Sequence, residues 1–198
     1  MTGVVARMSA RDALAVIHAT RGARDVVVTT MATSRDWMTM PQSPLDVIFV
    51  PSAMGHATSL GLGLALAQPN RRVVVCNGDG SMLMNLGSLV SIAGARPANL
   101  AVIVFDNGVY EVTGAQPTPA HDGHNGVDYA AIARGAGFGA VHSYQDLDMW
   151  RRDAEQILSR PGPTFVWLRV DTSPGIPGPK SPGPAGERAR ALQKALLE

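Results

Sequence analysis

The residues best suited to chemistry are polar side chains that follow two apolar runs. Residues 73–76 lead into Gly78-Asp79-Gly80-Ser81, and residues 100–105 lead into Asp106-Asn107. Carboxylate and amide oxygens suit Mg²⁺, which is often shared between one or two protein groups and phosphate oxygens. Backbone N–H groups at the start of a helix favour the phosphate itself. The two segments therefore predict a site for Mg²⁺ bound to a phosphate, provided that they lie side by side.

Two better-known phosphate loops fit the first segment less well. A Walker loop requires Gly-Lys-Ser/Thr, but no lysine occurs before Lys180. The dinucleotide fingerprint requires a third glycine at the position where this sequence has Leu83. A plain turn around Asp79 stays open as an alternative, because Gly-Asp-Gly alone is weak evidence for a site.

An alternation of strand and helix patterns must position these residues. Apolar, mostly β-branched runs predict strands at residues 25–30, 47–50, 72–76, 100–105, 140–142 and 164–170. Helical patterns fall at residues 9–20, 56–68, 82–95, 129–137, 145–159 and 187–197. This order predicts an α/β fold, a doubly wound, mainly parallel sheet with helices on both faces and ligands beyond the carboxyl ends of the strands. We expect the main domain over residues 1–170 and a Pro- and Gly-rich arm with a short helix over residues 171–198.

Composition narrows the class of protein. Apolar residues make up 45% and charged residues 17% of the chain, and the formal net charge is +1, so neither nucleic acid nor an anionic membrane is an expected partner. The single cysteine, Cys76, lies in an apolar run, which indicates a buried structural thiol. The sequence shows no secretory leader, and residues 60–67 are too short to span a bilayer. We therefore expect a cytoplasmic location.

The Gly-Asp-Gly-Ser segment, the helix and strand after it, and the closing asparagine resemble the cofactor motif of thiamine diphosphate enzymes. The resemblance covers nearly all of the chain and corresponds to the diphosphate-binding (PP) domain of that family. It implies that thiamine diphosphate and Mg²⁺ are the cofactors. It implies that Asp79, Asn107 and the backbone carbonyl of Val109 bind the metal. The implied cofactor contacts are Gly78, Gly80, Ser81 and Tyr110.

Two further segments match the family. In the turn Ser52-Ala53-Met54-Gly55, the resemblance implies that Met54 props the cofactor in its V conformation and that the Ser52 carbonyl accepts from the aminopyrimidine. Ordinary core packing is the alternative for Met54. Thr33 follows the first strand, where the family places hydroxyl residues near the diphosphate.

The family also uses a glutamate that activates the pyrimidine ring from a second, similar domain. The first glutamate here is Glu111, beyond the metal motif, and we expect the chain to leave no room for another such domain. The resemblance therefore implies a PYR-type partner subunit that supplies the glutamate, in a hetero-oligomer.

Residues 29–37 and 106–114 are most similar to the β subunits of sulfopyruvate and phosphonopyruvate decarboxylases. The implied reaction converts an anionic 2-oxo acid into an aldehyde and CO₂. Pyruvate decarboxylases carry a glutamate where this chain has Thr113, so their proton donor is not carried over. Carboligation, as in acetolactate synthases, and a non-catalytic cofactor-binding module stay open as alternatives.

Substrate contacts are harder to identify. Arg35, His56 and His121 are candidates for an anionic substrate, with His124 close to His121. A surface ion pair is the alternative for Arg35, and solvated side chains are the alternative for the histidines of the Gly-rich loop.

Overall fold

The computed structural model describes residues 8–49, 54–119, 126–172 and 181–198. Its helices are α1 (Ala10–Thr20), α2 (Ala32–Trp37), α3 (Ala57–Ala67), α4 (Asp79–Leu83), α5 (Gly87–Ala95), α6 (Tyr129–Ala136), α7 (Leu147–Ser159) and α8 (Ala185–Leu197). Its strands are β1 (Val26–Thr30), β2 (Asp46–Phe49), β3 (Val73–Gly78), β4 (Leu100–Asp106), β5 (Val109–Tyr110), β6 (Gln116–Pro117), β7 (Ala140–Tyr144) and β8 (Thr164–Arg169). A 3₁₀ turn, Glu111–Thr113, follows β5.

Six of these strands form one parallel sheet in the order β2-β1-β3-β4-β8-β7. Successive residues of each strand face opposite sides, so Val27 packs with α1 and α7 whereas Val26 and Val28 pack with α3, α5 and α6. Both faces of the sheet are therefore buried, which explains the uninterrupted apolar runs of the central strands. The predicted doubly wound α/β fold is confirmed.

The strand order reverses between β1 and β3. From β1 the chain moves outward to β2, and it then returns to place β3 and β4 on the other side of β1. In open parallel sheets such a reversal leaves a crevice beyond the carboxyl ends of the strands, where ligands bind. The Gly78-Asp79-Gly80 segment begins at this reversal.

Three local features differ from the predicted elements. The helix expected over residues 82–95 starts earlier, at Asp79, and is interrupted at residues 84–86. At this break the Asn85 carbonyl accepts from the N–H and the hydroxyl of Ser88. The side chain of Asn85 donates to Gly55 O (2.8 Å). The short helix α2 and the β5–β6 hairpin were not predicted, because such short elements carry too few residues for a periodic pattern.

The C-terminal helix α8 packs back on the domain. Leu192 and Leu196 lie against the apolar layer that contains α3 and α5, and Arg188 Nη1 donates to the carbonyl of Ile48 (2.6 Å). The division of the chain at residue 170 stays a prediction. Within the described ranges, every helix is too short or too polar to cross a bilayer.

Candidate cofactor site

One cavity beyond the carboxyl ends of β1, β3 and β4 brings together most of the predicted site residues. Its lining includes Thr33, Met54, Gly78, Asp79, Gly80, Ser81, Asn107, Val109 and Tyr110. These residues come from four segments that are separate in the sequence. The parallel register of β3 and β4, which pairs Gly78 with Phe105, sets the Gly-Asp-Gly segment beside the Asp-Asn segment.

Asp79 is a buried carboxylate at the start of α4. It is 3% exposed, and its Oδ2 accepts from the N–H of Gly108 (3.0 Å), with a further hydrogen bond from the N–H of Gly80. Its other neighbour is the carboxyl group of Asp106, which Trp167 Nε1 holds through a 2.9 Å hydrogen bond to Oδ2. Burial, and then the negative charge of Asp106, raise the pKa of Asp79 to about 7.

The surroundings of this acidic pair suit a bound cation. The Tyr129 hydroxyl is buried behind the two carboxyl groups without a hydrogen-bond partner among the described residues, and burial and both acids raise its pKa. A cation would offset the repulsion that raises the pKa of Asp79. The described residues contain no group of three His, Cys, Asp or Glu side chains able to hold a metal. Further ligands would therefore be amide, main-chain and phosphate oxygens, which Mg²⁺ accepts.

Asn107 is held in a defined orientation beside Asp79. Its Oδ1 accepts from the Val109 N–H (3.0 Å), and its Nδ2 donates to Glu111 Oε1 (2.9 Å). The segment continues into the β5–β6 hairpin, where Thr118 N–H donates to Gly108 O (2.9 Å) and fixes the loop. The predicted metal-binding residues are thus brought together, and their role as ligands stays a prediction.

The backbone of Gly80, a predicted phosphate contact, is covered by the ring of Tyr110. A Cβ at Gly80 would lie 2.4 Å from Tyr110 Cε1, so only glycine allows the ring to pack there. Ser81 Oγ accepts from the Gly55 N–H (3.0 Å), which ties α4 to the turn that carries Met54. Met54 lines the cavity and is half-buried, and its role as a cofactor prop stays a prediction.

Thr33 lines the cavity, but its hydroxyl is engaged with the backbone. Its single O–H lies within hydrogen-bond distance of Thr30 O (2.7 Å) and Cys76 O (3.1 Å), and its oxygen accepts from the Thr30 N–H (3.2 Å). These bonds close the turn from β1 into α2, where Met31 has a φ of 60°. A positive φ at a residue other than glycine marks local strain of the kind found at functional sites. The predicted contact between Thr33 and the cofactor stays a prediction.

The candidate substrate residues are distributed differently. Arg35 is not among the residues that line the cavity, but it lies next to them, at the rim, because its Nη2 pairs with Oε2 of the lining residue Glu111 (3.4 Å). His56 is exposed, contacts Met54 O through Nδ1 (2.9 Å) and is not part of the cavity wall. Ser52, His121 and His124 lie outside the described residues.

The cavity also contains acids to which the sequence motifs gave no role. Glu111 lies on the 3₁₀ turn after β5, and Asp36, 8% exposed, lies on α2. Burial raises the pKa of Asp36. Asp106 was part of the motif, but the sequence around it does not indicate that its carboxyl group interacts with that of Asp79. Cys76 is buried as predicted, and burial raises its pKa.

Comparison with known proteins places the chain in a family. The family described as "Thiamine pyrophosphate enzyme, C-terminal TPP binding domain" matches residues 25–168. Phosphonopyruvate decarboxylase of Streptomyces viridochromogenes is 40% identical over 170 residues, which cover 84% of this chain and 41% of that protein. Sulfopyruvate decarboxylase subunit beta of Methanothermobacter thermautotrophicus is 42% identical over 137 residues, which cover 69% of this chain and 68% of that subunit.

A solved structure shows the same fold. The thiamine diphosphate-dependent 4-hydroxybenzoylformate decarboxylase of Rhodococcus jostii superposes with a TM-score of 0.71 at 21% identity, covering 88% of this chain and 34% of that one. The family match spans most of the sequence and includes both Asp79 and Asn107. The protein therefore belongs to the thiamine pyrophosphate enzyme family and carries its C-terminal TPP binding domain.

Proposed function

We propose that this chain is the diphosphate-binding subunit of a split thiamine diphosphate-dependent decarboxylase. Its substrate would be an anionic 2-oxo acid of the sulfopyruvate or phosphonopyruvate type, and its products an aldehyde and CO₂. The observation that carries the proposal is the buried Asp79 carboxylate in one cavity with Asn107, where burial and then the neighbouring Asp106 raise the pKa of Asp79 to about 7. The decarboxylase names of the two relatives support the reaction class.

Mg²⁺ would be held by Asp79, Asn107 and the main-chain carbonyl of Val109. Its charge would offset the repulsion between Asp79 and Asp106. Trp167 Nε1 fixes the position of Asp106 by donating to its carboxylate. The diphosphate would lie against Gly78, Gly80 and Ser81, at the start of α4. The remaining Mg²⁺ ligands would be phosphate oxygens, which is the usual mode of Mg²⁺ binding at phosphates.

The cofactor, when bound, supplies the electron sink that accepts the electrons released with CO₂. The chain's own residues orient it and exclude water. Met54 would support the V conformation, with the Ser52 carbonyl and Tyr110 as further contacts. Apolar side chains of Phe105, Val109 and Val112 line the same cavity.

A PYR-type partner subunit would supply the glutamate that activates the pyrimidine ring. Among the described residues that line the cavity, the only glutamate is Glu111, and both of its carboxylate oxygens already face Asn107 and Arg35. The relative named as subunit beta also supports a separate partner chain. We further propose a cytoplasmic hetero-oligomer, in keeping with the single, buried and unpaired Cys76.

The anionic group of the substrate would meet Arg35 at the rim. Arg35 is 39% exposed in its side chain, so a substrate anion can reach the guanidinium. His56 and His121 stay as weaker candidates for the same role.

The test is calorimetric titration with thiamine diphosphate and Mg²⁺, with and without the co-expressed partner chain, followed by assay of CO₂ and aldehyde from 2-oxo acids. Asp79→Ala should abolish Mg²⁺-dependent binding. The matched control is Asp148→Ala, an exposed acid on α7 that pairs with Arg151, and it should bind as the wild type does.

Binding that requires Mg²⁺ and Asp79, with CO₂ release only in the presence of the partner, would support the proposal. Absence of binding in every combination would refute it. Binding with carbon–carbon bond formation instead of aldehyde release would refute the decarboxylase assignment and favour a carboligase.

A further inference from the structure

Glu111 joins two residues of the candidate site that are far apart in the sequence. Its side chain is only 12% exposed and lines the cavity. Oε1 accepts from Asn107 Nδ2 (2.9 Å), and Oε2 faces Arg35 Nη2 (3.4 Å). Each oxygen of one carboxylate therefore contacts a different functional residue.

The partners of Asn107 allow its amide only one orientation. A backbone N–H can only donate, so the Val109 N–H requires the amide oxygen on its side. An ionised carboxylate can only accept, so Glu111 requires the amide nitrogen on the other side. A metal ion needs the oxygen, because the amide NH₂ group has no lone pair to offer. Without Glu111, Nδ2 would lose the one side-chain partner that it has among the described residues.

The second contact explains why Arg35 lies at the rim. Arginine has a long, flexible side chain, and one that is 39% exposed is free to extend into solvent unless a partner holds it. Glu111 is such a partner, and it is itself largely withdrawn from solvent. The guanidinium keeps donors that Glu111 does not use, because it has five N–H groups.

We propose that Glu111 is a positioning residue for both halves of the site: it directs the Asn107 oxygen toward the metal and holds Arg35 at the rim for the anionic group of the substrate. The inference rests on the proposed function, because it assumes that the cavity binds Mg²⁺ with thiamine diphosphate. Outer partners of metal ligands typically change metal affinity by about 10- to 100-fold when removed. We expect a change in that range for Glu111→Ala.

An isosteric variant separates positioning from packing. Glu111→Gln keeps the shape of the side chain, but its amide can accept from Asn107 only by turning its NH₂ group toward the guanidinium of Arg35. Two donors would then face each other. Glu111→Gln should therefore weaken Mg²⁺ binding, whereas the double variant Arg35→Met with Glu111→Gln should recover the affinity of Arg35→Met alone.

The experiment measures the Mg²⁺ dependence of thiamine diphosphate binding by calorimetry, with the partner chain present. The variants are Glu111→Ala, Glu111→Gln, Arg35→Met and the double variant, and the control is Glu155→Gln on the exposed face of α7. Thermal unfolding without ligands verifies that each variant is folded. We expect the apparent Kd for Mg²⁺ to rise about 10-fold or more for Glu111→Ala and to rise less for Glu111→Gln. In the double variant the Kd should equal that of Arg35→Met alone.

The outcomes distinguish this inference from the proposed function. Wild-type binding that needs Mg²⁺, with unchanged Mg²⁺ affinity in both Glu111 variants, would overturn the role of Glu111 and leave the proposed function intact. Weakened binding in Glu111→Gln without recovery in the double variant would refute the link to Arg35. Lack of Mg²⁺-dependent binding in the wild type would overturn both.

Discussion

Asp79→Asn should make the metal-free protein more stable at alkaline pH while abolishing its response to cofactor. In the folded state, burial and the neighbouring Asp106 raise the pKa of Asp79 from 3.8 to about 7. A folded-state pKa above the unfolded one means that the folded protein binds this proton more tightly. The ionised side chain therefore lowers stability progressively as pH rises from 3.8 to about 7, and the full loss is present above that range.

The size of the effect follows from the same two values. A pKa rise from 3.8 to about 7 corresponds to about 4 kcal/mol of lost stability at about pH 8, when Asp79 is fully ionised. Asparagine carries no charge, can still accept from the N–H groups of Gly80 and Gly108, and can donate to Asp106. We expect it to recover about 1–3 kcal/mol at about pH 8, and less than half of that at about pH 5, where the wild type is mostly protonated at this position.

Urea unfolding in the presence of a chelator, at both pH values, measures this difference. Asp148→Asn is the control, because its exposed carboxylate should change stability by no more than about 0.5 kcal/mol. Addition of Mg²⁺ and thiamine diphosphate should stabilise the wild type and the control, but not Asp79→Asn. The reasoning would be refuted if Asp79→Asn were no more stable than the wild type at about pH 8, or if its advantage were the same at both pH values.

Three further predictions concern the site and the packing beneath it. The apparent Mg²⁺ affinity should rise by up to about 10-fold per pH unit below pH 7 and level off above it, because Asp79 must lose its proton to bind the metal; calorimetry from about pH 5.5 to 8.5 would show a flat profile if Asp79 were not a ligand. Gly61→Ala should cost about 1–3 kcal/mol in urea unfolding, because its Cβ would lie 2.2 Å from Val75 Cγ2, whereas Gly63→Ala on the same helix has open space and should be neutral or stabilising; equal effects would contradict the packing described. Gly80→Ala should weaken cofactor binding and displace the tyrosine ring that packs on it, since the new Cβ would lie 2.4 and 2.7 Å from two ring carbons; unchanged cofactor affinity and tyrosine fluorescence would show that the ring does not pack there.

Local patterns were sufficient to predict the sheet and the position of its ligand site. The runs at residues 26–28, 73–75 and 100–104 are apolar and β-branched-rich, and strands covered on both faces bury such runs completely. Since parallel strands end at the same edge, the polar residues that follow two of them, Asp79 and Asn107, had to lie close together. Their proximity in one cavity is confirmed.

Shorter elements could not be predicted with the same success. Helix α2 has six residues and the β5–β6 hairpin has two residues in each strand, too few for a hydrophobic period to be recognised. The interruption after α4 depends on Asn85, whose side chain donates to a carbonyl 30 residues earlier in the chain. A window of sequence around residues 82–95 contains no trace of that partner.

The sequence by itself thus determined the layered fold, the edge of the sheet at which the candidate site lies and the metal-binding candidates, because these follow from strand periodicity and from what ends each strand. Only the tertiary structure decided how the acids of the site interact. Asp106 raises the pKa of Asp79. Glu111 contacts both Asn107 and Arg35, although Arg35 precedes Glu111 by 76 residues in the sequence. Ionisation and side-chain orientation depend on burial and on neighbours brought together by folding, and neither quantity is encoded in the spacing of residues along the chain.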